Sequence, residues 1–375
     1  MLIYLGVCSV VAFGYAFALL QSGGASVLAI THLVFAVGVL PLIFGAIAHF
    51  VPVLTRSGAA PRAVGLASLP PQLAGGLVFL YFSGALGDGA LHAAAAIVLV
   101  VCGGLVGWLI SRARRAFGRP HPGWRWYLAS LAVLVLGVAL VPAMTYWPES
   151  RQALRLLHLH LNTLGFVGLT AIGTLQVLLP TVLSGPDADA TARLRSDLPW
   201  ALGGVFAVSI GAALWWPLSL LGAFLLAGVA GRLGRSWWRR YGPLILVNDG
   251  ASVALAASLC GLLLLLALGC AHGFGAMSGH DAVAAFIAAF LLPLVTGALS
   301  QLLPVWRYPG RRTALRDRMR EVLVYGGAIR AALFVAGGVL LAFDLGYGVW
   351  PTVVALSLFL CALLHAFWLE IKNHY

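Results

Sequence analysis

The chain has 375 residues, 61% of them hydrophobic and 9% charged, with a mean hydropathy of +0.98. A soluble domain carries about 25% charged residues, so this composition excludes a soluble globular protein. The net charge of +12 would suggest nucleic acid as the partner of a soluble chain, but here the arginines fall in short stretches between apolar runs, where they set membrane orientation.

Apolar runs of about 20 residues suit α-helices that cross a bilayer, and the alternating pattern of membrane barrels is absent. Gly, Pro and Arg divide the chain into twelve predicted transmembrane helices, at approximately 2–21, 27–54, 67–84, 91–111, 126–147, 156–184, 198–215, 217–231, 244–271, 281–305, 323–343 and 350–371. The first run starts at Leu2 without a basic residue before it, which fits a membrane helix better than a signal peptide. The seventh and eighth runs are parted only by the tight turn in "LWWPLSLLG". No linker or low-complexity stretch interrupts the series, so one polytopic domain over 1–375 is expected. Cys8, Cys102, Cys260, Cys270 and Cys361 form no CxxC or CxxCH pattern and read as packing thiols.

Stretches after even-numbered segments hold most of the arginines, from Arg56 and Arg62 to the group Arg307–Arg320, whereas stretches after odd-numbered ones hold only Arg151 and Arg155. The positive-inside rule then puts both termini in the cytoplasm. Arginine outnumbers a single lysine, Lys372, as in a GC-rich bacterial genome, so the expected location is a bacterial cytoplasmic membrane.

Three segments read alike: "HLVFAVGVLPLIFGAIAHFVPVLTRSG" from His32, "HLNTLGFVGLTAIGTLQVLLPTVLSG" from His160 and "HDAVAAFIAAFLLPLVTGALSQLLPVWRYPG" from His280. Each carries a glycine seven residues before a proline: Gly45 and Pro52, Gly173 and Pro180, Gly297 and Pro304. These are segments two, six and ten, so three four-helix units are expected at roughly 1–123, 124–247 and 248–375.

Histidine is expensive in hydrocarbon, and an intramembrane ionisable residue marks function by default. His32 and His160 each lie 20 residues before their proline, with His158 at 22 and His280 at 24, so the four share a layer near the expected outer face. Imidazole suits haem iron, copper and zinc. His158 and His160 are two residues apart and point to opposite sides of a straight helix, so register favours His160 as the ligand. Asn162 and Asp281 are candidates to orient an imidazole through its other nitrogen. Arg330, inside segment eleven, could pair with an acid, hold a haem propionate or snorkel. There is no P-loop, GxSxG or HExxH motif.

Twelve helices in three four-helix units, with "THLVFAVGVLPLIFGAIAHFVP" as the second helix and "HLHLNTLGFVGLTAIGTLQVLLP" as the sixth, resemble the haem-copper oxidase subunit I superfamily. The resemblance covers the whole chain in architecture and three helices in motif. It implies a low-spin haem b held by His32 and His280, a second metal or haem at His158 and His160, copper as an additional cofactor, a quinol or cytochrome as electron donor and nitric oxide or oxygen as gaseous ligand. Two departures matter. The family's seventh helix carries a His-His pair for copper, but "LPWALGGVFAVSIGAALWWP" has no histidine; its tenth helix carries His-x-His, and the positions in register here are Ala282 and Ala284. A complete oxygen-reducing centre is therefore not expected, and the short chain is similar to the NnrS family, a twelve-helix relative associated with haem, copper and nitric oxide stress. The implied function is a haem-binding membrane protein in nitric oxide handling or electron transfer. The competing readings are a terminal oxidase or nitric oxide reductase with unorthodox ligands, and a non-redox transporter or metal carrier.

Overall fold

A computed structural model describes residues 1–185, 187–279 and 281–372, with side chains through 369. The described residues are helical throughout, and twelve helices among them are long and apolar enough to cross a membrane. In chain order these are α1 (Leu2–Ser22), α2 (Val27–Leu54), α3 (Arg62–Phe82), α4 (Gly89–Arg114), α5 (Gly123–Tyr146), α6 (Pro148–Val182), α7 (Ala190–Leu214), α8 (Trp216–Tyr241), α9 (Gly250–Gly273), α10 (Ala282–Arg307), α11 (Ala314–Ala342) and α12 (Gly346–Leu369). They match the twelve predicted segments one for one. The largest differences are at charged ends: α6 begins at Pro148, α7 at Ala190 and α11 at Ala314, and α8 continues to Tyr241. Arginine is a good helix former, so hydrogen bonding continues past the point where hydropathy falls.

The chain divides into two compact units, Met1–Thr174 with Ala188–Leu226, and Leu175–Asp187 with Ala227–Tyr375. In the first, α2 packs between α1 and α3, and α6 between α5 and α7; in the second, α10 packs between α9 and α11. These three helices are the most buried of the twelve, at 50%, 83% and 72% of their most apolar window against at most 44% elsewhere.

The same three helices share a backbone irregularity. Each changes from α- to π-helix and back, over Leu33–Val39 in α2, Leu161–Gly168 in α6 and Ile287–Leu291 in α10. The π segments end 13, 12 and 13 residues before Pro52, Pro180 and Pro304. A π turn inserts a residue and loosens the hydrogen-bond ladder, and such insertions concentrate at functional sites. Neighbouring helices cover the loosened backbone closely. In the first unit Ser9 Oγ of α1 donates to the Gly38 carbonyl at 2.7 Å, and Gly75 of α3 lies against the Ala36 carbonyl where a Cβ would collide with it. In the second, Gly261 of α9 meets the Ala289 carbonyl in the same way.

Polar residues at the helix ends of the second unit are tied down. Asp249 caps α9 by accepting from the Ala251 and Ser252 amides at 2.8 and 2.9 Å, and its other oxygen binds Arg320, whose Nε donates to Gln301 at 2.8 Å. The α11 helix breaks at Tyr325 and Gly326, the glycine adopting φ 65°. That break leaves carbonyls without partners, and the buried Arg330 fills them, donating to Tyr325 O at 2.5 Å and Leu323 O at 2.6 Å with its guanidinium 5.4 Å from the Phe359 ring.

Two stability outcomes are expected. Gly261→Leu should lower stability by on the order of 2 kcal/mol or more by forcing α9 from α10, whereas Gly269→Leu, with open space at its Cβ position, should be near neutral; thermal unfolding in detergent compares them. Arg330→Met should cost on the order of 2 kcal/mol because it leaves the Tyr325 carbonyl without its guanidinium donor and the Leu323 carbonyl with the Ser300 hydroxyl alone, and Arg330→Lys should recover part of that loss in the same assay.

Candidate metal-ligating site

The first unit brings two of the four predicted histidines together. The rings of His32 on α2 and His158 on α6 lie with centroids 6.5 Å apart and planes inclined by 31°. Two imidazoles on opposite sides of one metal ion, each bound at ~2.1 Å, have about this centroid separation.

Local structure explains the placement of His32. Ser26 begins α2 by accepting from the Ala29 amide at 3.1 Å and donates its own proton to the Phe82 carbonyl at 3.0 Å, which joins the start of α2 to the end of α3. Phe82 then stacks on the His32 ring, with centroids 4.7 Å apart and planes 22° from parallel. Nδ1 of His32 bonds the Leu28 carbonyl one turn back at 2.8 Å.

His158 is held by a different helix. Its Nδ1 lies 2.8 Å from the carbonyl of Gly137 on α5. Pro142 has no amide proton with which to close the turn onto Val138, so α5 is open next to Gly137, and Gly137 has no side chain to shield its carbonyl. Asn162 packs on Gly137 and donates through Nδ2 to the His158 carbonyl at 2.7 Å. Asn162 therefore braces the backbone that carries His158 and makes no bond to an imidazole nitrogen there.

A carbonyl can only accept, so Nδ1 carries the proton in both rings and Nε2 keeps the lone pair. A metal-ligating histidine has this form, its outer nitrogen fixed by a backbone carbonyl and its inner one free to coordinate.

The other candidates fall elsewhere. His160 bonds the Leu156 carbonyl of its own helix at 2.8 Å and, two residues from His158, faces the opposite side of α6. The residue brought to His32 is thus His158, where register pointed to His160. Both His32 and His160 immediately precede a π segment. His280 lies outside the described residues. Asp281 stands at the start of the Ala282–Phe286 turn of α10, in the second unit. Arg330 is committed to the α11 break. His92 approaches Thr145 at 3.5 Å, and His272 bonds the Met277 carbonyl at 3.0 Å, as interfacial residues do. Among the described residues no three His, Cys, Asp or Glu side chains gather as a metal-binding group.

Three residues that matter to the pair were not legible in the sequence: Gly137, Phe82 and Ser26. Gly137 has a signal in retrospect, a glycine five residues before an in-helix proline. No family model, curated protein or solved structure matches the chain, so its own histidine pair is the evidence for its chemistry.

Proposed function

We propose that the protein is a membrane haem protein with His32 and His158 as the axial ligands of one haem b, and that it serves electron transfer. The observation that carries this reading is the pair itself: two imidazoles with ring centroids 6.5 Å apart, each with Nδ1 on a carbonyl, which leaves Nε2 for a ligand. Two side chains are what haem iron requires, since the macrocycle supplies the other four donors, whereas a copper or zinc centre made only of protein needs three or four. The resemblance to the haem-copper oxidase superfamily supports the role of His32, on the second helix.

Within such a site the haem supplies a one-electron couple. The protein's part is to hold ligand geometry through Ser26, Phe82 and Gly137, and to surround the site with the apolar packing of α2, α3, α5 and α6. Ligation by two histidines leaves no open position on the iron, which favours electron transfer over the binding of nitric oxide or oxygen.

The test is a dithionite-reduced minus oxidised spectrum of the purified protein, with pyridine haemochrome and iron analysis. Wild type should show a sharp α-band and about one iron per chain, as a single haem site requires. His32→Ala and His158→Ala should each lose haem or gain carbon monoxide binding, and His160→Ala should keep the wild-type spectrum. Loss of haem in His280→Ala with retention in His158→Ala would transfer the second ligand to His280. A colourless wild type from haem-replete cells would remove the haem reading altogether.

A further inference from the structure

The ligand pair does not account for two arginines above it. Arg151 and Arg155 are the only arginines at the end expected to face outward, and both are exposed. With His158 they fall at positions i, i+4 and i+7 of the α-helical stretch Arg151–His160, so the three share one face within about 60° of arc. Arg155 stands about one turn beyond His158, and Arg151 about two.

Helix stability does not explain them. A guanidinium in the first turn opposes the positive end of the helix macrodipole. Among the described residues neither arginine makes a hydrogen bond or an ion pair. In the first unit the carboxylates at this end are Glu149, on the turn before α6, and Asp88, which is engaged by the Tyr81 hydroxyl.

The arginine face is linked to the other half of the pair as well. Tyr81 lies in the field of Arg151, its ring stands 4.9 Å from Phe82, and Phe82 stacks on His32. Two unpartnered guanidiniums therefore stand over two imidazoles whose Nε2 atoms are unused by the protein.

We infer that Arg151 and Arg155 bind the carboxylates of a ligand whose body reaches the His32–His158 pair; on the haem reading, on which this inference rests, these are the two propionates. The guanidinium fork matches a carboxylate with two parallel hydrogen bonds, which a lysine cannot reproduce. Arg330, the propionate partner that the sequence offered, has two of its nitrogens on the Leu323 and Tyr325 carbonyls.

The experiment titrates the apoprotein in detergent with iron protoporphyrin IX and, separately, with its dimethyl ester, for wild type and for an Arg155→Gln, Arg151→Gln double variant. Two charge-assisted contacts should give wild type about 100-fold preference for the diacid. The double variant should lose that preference, while its affinity for the diester and the low-spin spectrum of the bound form stay at wild-type values, which also shows that it is folded. Equal wild-type affinity for diacid and diester, or a preference that survives in the double variant, overturns the inference and leaves the haem reading standing. If neither porphyrin binds, the haem reading fails and the inference falls with it; if the low-spin spectrum persists when both His32 and His158 are alanine, the assignment of the pair as ligands fails and the inference falls with that.

Discussion

In hydrocarbon a backbone carbonyl that loses its own helix's amide must find another donor, because water cannot supply one. Much of this structure follows from that constraint. The π segment of α2 loosens the ladder, and Ser9 of α1 supplies a proton to Gly38. The break in α11 exposes the carbonyls of Leu323 and Tyr325, and Arg330 turns back to meet both. His158 of α6 adds a bond of this kind between helices, donating to the Gly137 carbonyl of α5 one residue before the Val138 carbonyl that Pro142 leaves without its amide. Each repair links two helices or two halves of one, so the irregularities that weaken single helices are also what fix their neighbours.

Among these donors His158 stands out chemically. A serine can donate to the carbonyl of a neighbouring helix at 2.7 Å, as Ser9 does, at little cost in volume or polarity. An imidazole in the same role brings a second nitrogen that must be left bare or used. His32 goes further, because its Nδ1 is satisfied within its own helix and no neighbouring backbone needs it. Two histidines whose structural bonds use one nitrogen each, with ring centroids 6.5 Å apart, bring two further ring nitrogens into one neighbourhood. Burying polar groups in that way is unfavourable, and this cost is what marks the pair as a candidate site.

The twelve spans were legible because run length and Gly, Pro and Arg punctuation act at the scale of whole helices. Charged helix ends such as Arg232–Tyr241 were not, since hydropathy measures the solvent and helical hydrogen bonding continues regardless of it. The π segments leave no mark on composition. Counting back from the terminal proline gives the depth of a residue along its helix, whereas which of His158 and His160 meets His32 depends on how α2, α5 and α6 pack: the Gly137 carbonyl of α5 holds His158, and His160 bonds within its own helix.

The elements that set the pair's geometry all belong to the first unit: α2 and α6 carry the imidazoles, α3 the stacking Phe82, and α5 the Gly137 carbonyl. The superfamily arrangement instead divides its low-spin ligands between the second and tenth helices. Here α2 and α6 are positioned through short bonds at their starts, Ser26 to Phe82 and His158 to Gly137, each within a few residues of an imidazole. A histidine pair fixed this locally needs no histidine from the seventh helix, which has none, nor from positions 282 and 284 of the tenth, which are alanines. The geometry of the pair therefore rests on four neighbouring helices, α2, α3, α5 and α6, and on three contacts that each lie within one turn or one ring of an imidazole.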